Sequence, residues 1–229
     1  MLKLEKVSVS IGERKILDRV SCSFGKGIFA VMGPNGSGKS TLARSIMGLQ
    51  EYSGSIFIDG KSIDKMSIDK RSKLGIFQLF QHTPHLPGIS LFDIFRTLMK
   101  DKKPMEVMDL LEDAASKVSL NLNYVTKPID KTWSGGELKK LEIVQMLLLK
   151  PKIVISDEID AGTDVDSLKK IMDLIKESKA ETIIFISHIP ATIERLKPDG
   201  ITVLKQGKIV ANGKNEILET IKKKGYEGF

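Results

Sequence analysis

The chain contains 229 residues, of which 41% are hydrophobic and 28% are charged, a balance typical of one soluble α/β domain. A single cysteine, Cys22, excludes a framework of internal disulfides and a cysteine-based metal cluster. The net charge of +7 comes from scattered lysines, thirty against six arginines, and base readout favours arginine, so no nucleic-acid partner is expected. No apolar run approaches the roughly 18 residues that a membrane span requires, and no signal peptide is recognisable. We therefore expect a cytoplasmic protein without direct membrane insertion.

The first eighty residues are predicted to alternate between strands and glycine-rich turns. Residues 2–24 alternate in polarity and turn at Gly12-Glu13-Arg14, which predicts an antiparallel hairpin. The short apolar run 27–32 is predicted to be a buried strand, and residues 41–48 a helix. Two more predicted strands follow: 55–58, with Asp59-Gly60 as its turn, and 74–80.

The pattern changes between residues 83 and 131. This stretch shows helical apolar spacing, notably at 92–95 and 107–118, and contains no run typical of a strand. Its breaks coincide with Pro84, Pro87 and Pro104. We expect a helical subdomain, 83–131, inserted into a single domain that covers residues 1–229.

Alternating helices and apolar strands resume after the insertion. The predicted elements are a helix at 138–149, a strand at 153–157, a helix at 164–178, a strand at 182–188, strands near Val203 and Ile209, and a last helix at 215–224. Short β-branched runs between helices are typical of a buried parallel sheet.

A glycine-rich segment between the strand at 27–32 and the helix that follows has the pattern G-x-x-x-x-G-K-[ST]. In this context the glycines let the backbone curl closely around phosphates, and successive N–H groups point inward. Lys39 is predicted to reach the β- and γ-phosphates, and the Ser40 hydroxyl to ligate Mg²⁺. A chance match in an ordinary turn is the alternative, which the flanking strand and helix disfavour. The nucleotide-binding residues of this loop are Gly33, Pro34, Asn35, Gly36, Ser37, Gly38, Lys39, Ser40 and Thr41.

Two carboxylates, Asp157 and Glu158, close the strand at 153–157. Asp157 is predicted to hold Mg²⁺ through water, and Glu158 to orient or deprotonate an attacking water. Adjacent residues on a strand point to opposite sides, so the two can have different roles. An isolated Asp-Glu after a strand is often only a turn or the start of a helix, but the phosphate loop upstream favours a catalytic interpretation.

A second phosphate-binding motif is predicted at Ser134, Gly135, Gly136 and Glu137, directly after Trp133. Ser134 is a suitable N-cap, and the two glycines leave backbone N–H groups accessible at the start of a helix. A simple capping box is the alternative, but it requires no pair of glycines. Two phosphate cradles in one chain suggest a nucleotide shared between two subunits.

His188 ends the strand at 182–188, which we expect to lie beside the strand that ends at Asp157. This position is within reach of a γ-phosphate, although a lone histidine at a strand end often has only a structural role. We expect no arginine near any motif to act in cis, so the remaining donors are expected to come from Ser134 and the Gly135 and Gly136 amides of a second protomer.

These motifs, in this order and spacing, resemble the ATP-binding cassette (ABC) ATPases over nearly the whole chain. The resemblance assigns residues 33–41 to Walker A, Gln81 to the Q-loop, Ser134–Glu137 to the signature, Asp157-Glu158 to Walker B, residues 161–164 to the D-loop and His188 to the switch histidine. It implies a P-loop NTPase core with an N-terminal antiparallel β region and an inserted helical lobe. It also implies ATP hydrolysis, with catalytic roles for Lys39, Gln81, Glu158 and His188, and Mg²⁺ held by Ser40, Gln81 and Asp157.

Two positions depart from the common ABC pattern. Ile11 occupies the expected A-loop position, where an aromatic residue usually stacks on adenine, which leaves two alternatives: poor selectivity for the base, or aliphatic contact with adenine. Thr163 stands where the D-loop usually has leucine.

Several segments in and around these motifs are similar to the SufC-type ATPases of iron–sulphur cluster assembly. This similarity implies an ATP-dependent homodimer that acts on a SufB-like scaffold, alone or together with a SufD-like subunit. Three alternatives remain: the ATPase subunit of a membrane transporter, a nucleic-acid-linked ABC protein and a non-catalytic nucleotide-binding regulator. The similar segments are 75–81, 86–90, 133–140, 143–146, 157–162, 197–200 and 224–226.

Overall fold

Six strands form the main sheet of this computed structural model, which describes residues 1–160 and 165–229. Their spatial order is β12-β11-β3-β10-β9-β6, and every pair is parallel except β11 with the edge strand β12. The parallel sheet predicted from the sequence is thereby confirmed. The strands are β3 (Gly27–Met32), β6 (Ile76–Leu79), β9 (Ile153–Asp157), β10 (Thr182–Ser187), β11 (Gly200–Lys205) and β12 (Lys208–Gly213).

The central strands are buried on both faces, which explains their continuous apolar sequences. Along β10, Ile183 and Phe185 pack into one hydrophobic cluster, while Ile184 and Ile186 pack into a second. Because successive side chains of a strand point to opposite faces, the two clusters lie on the two sides of the sheet.

A four-stranded antiparallel sheet, in the order β2-β1-β4-β5, contains the N-terminal hairpin. The predicted antiparallel β region is confirmed, and the first hairpin turns after Ile11 as expected. Asp59 and Gly60 both have positive φ angles, 48° and 79°, which suits the tight turn predicted there. The strands are β1 (Leu2–Ile11), β2 (Arg14–Phe24), β4 (Ser53–Ile58) and β5 (Lys61–Ser62).

Six helices accompany these sheets within the described residues; four lie close to predicted positions, while Ile68–Lys73 and Pro190–Leu196 were not predicted. The first begins at Lys39, two residues earlier than predicted, because Gly38 adopts φ 103° and serves as its N-cap. The helices are α1 (Lys39–Met47), α2 (Ile68–Lys73), α6 (Gly135–Leu149), α7 (Val165–Glu177), α8 (Pro190–Leu196) and α9 (Asn215–Lys224), and a 3₁₀ turn at Gly225–Gly228 ends the chain. None of them, nor any other helix described, is long and apolar enough to cross a membrane.

Residues 83–131 contain three helices but also a small two-stranded sheet, so the expectation that this stretch has no strand was wrong. β7 (Leu86–Ser90) pairs antiparallel with β8 (Pro128–Ile129), and most of β7 is exposed. An exposed strand lacks the apolar alternation by which strands are recognised in a sequence. The helices are α3 (Leu91–Leu98), α4 (Pro104–Lys117) and α5 (Asn123–Thr126). The subdomain boundaries at 83 and 131 stay a prediction.

Candidate functional site

The predicted functional residues lie at the carboxyl edge of the main sheet. The glycine-rich loop follows β3, His188 follows β10, Glu158 follows β9, and Gln81 lies two residues beyond β6. These four strands are adjacent and parallel, so their carboxyl ends share one edge. Crevices at this edge are the usual ligand sites of open α/β sheets.

The glycine-rich loop is shaped by close backbone contacts that exclude side chains. A Cβ atom on Gly33 would lie 2.0 Å from the Leu204 carbonyl oxygen and 2.8 Å from the Ser37 hydroxyl, which only glycine can avoid. Inside the loop, Lys39 Nζ donates hydrogen bonds to the carbonyl oxygens of Gly33 at 2.9 Å and Pro34 at 3.0 Å. The buried Lys39 ammonium is therefore held at the centre of the loop.

A cleft of about 390 Å³ opens above this loop. Residues from the loop and α1 form its floor, while Gln81 and Glu158 approach from the neighbouring strand ends. The lining residues are Arg14, Ile16, Asn35, Gly36, Gly38, Lys39, Ser40, Thr41, Gln81 and Glu158. The buried Ser37 hydroxyl behind the cleft has no hydrogen-bond partner among residues 1–160 and 165–229.

Asp157 and Ser40 form the part of the site suited to a magnesium ion. The Ser40 hydroxyl donates to Asp157 Oδ1 over 3.0 Å. Burial raises the pKa of Asp157, the Ser40 hydrogen bond opposes this shift, and the charge of Glu158 adds to it. A divalent cation would offset the cost of that buried charge, and oxygen donors are the ligands that Mg²⁺ prefers.

No group of three or more acidic, histidine or cysteine side chains within the described segments is arranged to hold a metal by itself. Mg²⁺ commonly binds one or two protein oxygens and completes its coordination with water and phosphate, so the Ser40 and Asp157 pair fits it. The Gln81 amide nitrogen donates to Glu158 Oε2 over 2.9 Å, which leaves the amide oxygen of Gln81 as its possible metal ligand.

Glu158 contacts the other three residues predicted to be catalytic, Lys39, Gln81 and His188. Its Oε1 lies 3.2 Å from Lys39 Nζ and 3.6 Å from His188 Nδ1. The expectation that Asp157 and Glu158 point to opposite sides of a strand needs correction. The strand ends at Asp157, and Glu158 adopts a left-handed φ of 47° while its N–H bonds the Ile186 carbonyl at 3.0 Å. Both carboxylates therefore contact consecutive residues of α1, Ser40 and Lys39.

His188 lies beside Glu158, as its position after β10 predicted. β10 pairs directly with β9, and Ile186 is opposite Asp157. His188 Nδ1 is buried, and it has no hydrogen-bond partner in the described part of the chain. A buried nitrogen without a hydrogen-bond partner, next to the phosphate loop, is suited to bind a polar ligand.

Ser134 and Glu137 form a complete capping box at the start of α6. The Ser134 hydroxyl accepts from the Glu137 N–H at 3.3 Å, and Glu137 Oε2 accepts from the Ser134 N–H at 2.7 Å. Gly135 and Gly136 are exposed, and a Cβ on either would meet nothing within 4 Å. The local fold therefore does not require glycine here, which favours an approaching ligand as the reason for the pair.

The structure does not bring Ser134, Gly135, Gly136 or Glu137 into the cleft above the phosphate loop. Gly135 and Gly136 instead line a separate cavity of about 580 Å³. Gln81 lines both cavities and so lies between the two motifs. The predicted D-loop, residues 161–164, lies outside the described residues.

Sequence reasoning missed two residues of the cleft, Arg14 and Ile16. Ile11, expected at the adenine, is 57% exposed and is not among the lining residues described. The expectation that no arginine lies near a motif was wrong, since the hairpin turn places Arg14 at the start of β2, against the loop. The only sequence signal was the turn itself, which sets the register of β2 but not what it packs on.

Comparison with known proteins gives a consistent result. A family model described as ABC transporter matches residues 17–161. The "Probable ATP-dependent transporter ycf16" of Antithamnion sp. is 35% identical over 99% of this chain and 96% of its own length. "Vegetative protein 296" of Bacillus subtilis (strain 168) is 31% identical over 99% of this chain and 92% of its own length.

Solved structures share the fold. The dimeric structure of MJ0796, described as a bacterial ABC transporter cassette, superimposes with a TM-score of 0.81 at 23% identity, covering 93% of this chain and 98% of that one. A post-hydrolysis state of the same cassette, bound to ADP and Pi, also gives a TM-score of 0.81, at 22% identity and the same coverage. At this identity the likeness concerns the fold.

Proposed function

The chain belongs to the ABC transporter family of ATPases, and we propose that it is the ATP-hydrolysing subunit of a SUF-type iron–sulphur cluster assembly system. The ATPase activity follows from the family. The observation that supports the site assignment is the position of Glu158, within 3.2 Å of Lys39 and 3.6 Å of His188 and hydrogen-bonded to Gln81. A cytoplasmic location is part of the same proposal.

In the proposed mechanism, Lys39 exchanges its bonds to loop carbonyls and Glu158 for the β- and γ-phosphate oxygens of ATP. Ser40 and Asp157, with Gln81, would hold Mg²⁺, which would supply charge to neutralise the phosphates. Glu158 accepts a proton from the attacking water, and His188 faces the γ-phosphate. Arg14 lines the same cleft and adds positive charge at its mouth.

The SUF-type assignment is supported by positions that differ from common transporter ATPases. Ile159 and Asp160 stand where transporters usually have Pro-Thr. Ile159 is buried, and Asp160 accepts a 2.5 Å hydrogen bond from the Ser187 hydroxyl next to His188. The substituted pair therefore connects the end of β9 to the histidine loop.

Two further SUF-like positions also link motifs. The Trp133 indole donates to the Pro128 carbonyl at 2.7 Å, which fixes the approach to the signature. Lys139, where transporters commonly have glutamine- and arginine-rich sequence, donates to the Phe80 carbonyl and lies 3.3 Å from Glu142. The signature helix is thus bonded to the start of the Q-loop, a route by which nucleotide state reaches a partner.

Sharing of ATP between two protomers gives a complementation prediction. Lys39→Ala should abolish ATP binding, and Ser134→Arg should block hydrolysis by filling the space beside the glycine pair. When the two inactive variants are mixed, one site of each heterodimer combines a normal loop with a normal signature. We expect ATPase activity to recover to about a quarter of wild type, because half of random dimers are mixed and each has one intact site.

The measurement is phosphate release at fixed total protein as the variant ratio is changed. A mixture of Lys39→Ala with Lys39→Ala,Ser134→Arg is the control, because neither chain supplies a normal loop. Activity that never exceeds the sum of the separate variants would contradict a shared site.

The ATPase subunit of a membrane transporter is the second candidate, because relatives are named as transporters. We expect tagged Glu158→Gln protein, held with ATP, to capture a soluble partner from the native extract whose visible absorption is that of an iron–sulphur cluster. Lys39→Ala protein is the control for ATP dependence. Capture of an integral membrane protein without such absorption would support the transporter instead.

A further inference from the structure

The carboxyl-terminal turn packs against the catalytic edge of the sheet. After α9, the chain returns through Gly225–Gly228, and the Tyr226 hydroxyl donates to the His188 carbonyl oxygen over 3.1 Å. The same phenol lies beside the backbone of Gly33. One hydroxyl is therefore bonded to the histidine loop after β10 and lies against the phosphate loop after β3.

Lys205, the last residue of β11, holds this turn in place. Its ammonium donates to the carbonyl oxygens of Tyr226 at 3.0 Å and Phe229 at 3.1 Å, and it lies 3.4 Å from Glu227 Oε2. Because β11 is the neighbour of β3, the turn is fixed to the strand beside the phosphate loop. Lys205 is only 19% exposed, so these contacts are shielded from competing water.

The Tyr226 hydroxyl acts as a neutral donor. Burial raises the pKa of Tyr226 to about 12, and the carboxylates of Asp160 and Glu158 add to the shift while the Gly33 backbone opposes it. The phenol therefore keeps its proton across the physiological range and remains a donor to the His188 carbonyl oxygen.

The histidine loop is held by contacts outside the imidazole ring. The imidazole Nδ1 of His188 has no hydrogen-bond partner in residues 1–160 and 165–229, and Glu158 Oε1 lies 3.6 Å from it. Ser187 fixes one side of the loop, donating to Asp160 at 2.5 Å and accepting from the Ile189 N–H at 2.9 Å. Tyr226 bonds the carbonyl oxygen of His188, the residue between Ser187 and Ile189.

We propose that Tyr226 is a positioning residue that sets the distance between His188 and the phosphate loop. The proposal rests on the proposed catalytic role of His188. Phenylalanine would fill the same space without the hydroxyl, so Tyr226→Phe isolates the contacts of that hydroxyl with the His188 carbonyl and the Gly33 backbone. We expect kcat for ATP hydrolysis to fall about 5–10-fold, the effect of one or two hydrogen bonds, with KM unchanged within about twofold.

Two further variants separate positioning from general stability. Lys205→Met releases the turn while leaving the Tyr226 hydroxyl, and should lower kcat similarly. Tyr52→Phe removes another phenol hydroxyl, which donates to Asp64 at 2.9 Å and accepts from Arg71 at 3.1 Å, away from the catalytic edge; it should lower the melting temperature without changing kcat. A kcat loss in Tyr52→Phe equal to that in Tyr226→Phe would overturn the proposal.

The decisive readout is the double variant with His188→Ala. If Tyr226 acts through His188, Tyr226→Phe should slow hydrolysis no further in that background. An undiminished 5–10-fold loss there, or a wild-type rate in Tyr226→Phe alone, would overturn the inference. A wild-type rate in His188→Ala would instead contradict the proposed role of His188 itself.

Discussion

Replacing Glu158 with glutamine is expected to slow ATP hydrolysis by about 10²–10⁴-fold, the usual contribution of a general base. Glutamine keeps the size of the side chain and can still accept a hydrogen bond from Gln81 Nε2, which lies 2.9 Å from the present carboxylate. An amide cannot take a proton from water, however. The loss corresponds to about 3–5 kcal/mol of transition-state stabilisation.

ATP binding should persist and become tighter in the same variant. Glu158 Oε1 lies 3.2 Å from Lys39 Nζ, so this ion pair competes with the phosphates for the lysine. The neutral amide removes that competition, and the binding cost of breaking the pair disappears. Titration calorimetry with ATP and Mg²⁺ measures the affinity, and single-turnover phosphate release measures the chemical step.

Glu181→Gln is the matched control, because the same change is made at the opposite edge of the sheet. Glu181 precedes β10 and lies 2.9 Å from Lys26 in an exposed ion pair. Exposed ion pairs contribute about 0–1 kcal/mol to stability, so Glu181→Gln should stay folded. Because Glu181 lies at the edge opposite the cleft, hydrolysis should stay within about twofold of wild type. Wild-type turnover in Glu158→Gln would show that Glu158 is not the general base. Loss of ATP binding in that variant would show that Glu158 instead helps to bind ATP before the reaction.

Much of this site could be predicted from the sequence because its residues follow apolar runs. The runs at 153–157 and 182–188 are recognisable as buried strands, and parallel strands end at one edge. The proximity of Glu158, His188 and Lys39 follows from that rule, without knowledge of any side-chain contact. The parallel pairing of β9 with β10 confirms the reasoning.

The residues that were missed reach the site by tertiary packing. Arg14 comes from the other sheet and Tyr226 from the end of the chain, and neither follows a strand of the main sheet. Neither the hydrophobic periodicity nor the spacing of motifs along the sequence shows which strand or helix packs against which. The left-handed turn at Glu158 was missed for a related reason, since its 47° φ is stabilised by a bond to Ile186 on the neighbouring strand.

Arg71 is the clearest case in which the sequence suggests the opposite environment. It lies between Lys70 and Lys73 in the short helix α2, which reads as a solvated charged surface. The structure buries it to 2% exposure. Charge alone predicts exposure, and only the tertiary partners of the guanidinium reverse that expectation.

Arg71→Met is expected to lower the free energy of unfolding by about 3–5 kcal/mol, because several buried neutral acceptors lose the one charged donor they share. The guanidinium donates to the carbonyl oxygens of Ser45 at 2.8 Å and Ile46 at 2.9 Å, at the end of α1. It also donates to the Met66 carbonyl at 3.0 Å and the Tyr52 hydroxyl at 3.1 Å. Methionine fills part of the volume but leaves these buried acceptors without their donor.

Urea unfolding of Arg71→Met, Arg71→Lys and Arg96→Met tests this account. Lysine keeps the charge but cannot reproduce the planar fork of donors, so its loss should be intermediate. Arg96→Met is the control, because Arg96 makes an exposed hydrogen bond to the Lys102 carbonyl at 2.8 Å. This substitution should lower the free energy of unfolding by less than about 1 kcal/mol. Equal midpoints for Arg71→Met and Arg96→Met would contradict a stabilising network at Arg71.

The location of these bonds predicts how the destabilised protein should behave toward ATP. Arg71 binds the carboxyl end of α1, while Lys39 and Ser40 lie at its amino end. Loss of the Arg71 contacts should therefore free the far end of the helix without moving the phosphate loop, which packs on Leu204 and Leu17. At low temperature Arg71→Met should bind ATP normally, and added ATP should restore part of its lost stability because the ligand binds only the folded state.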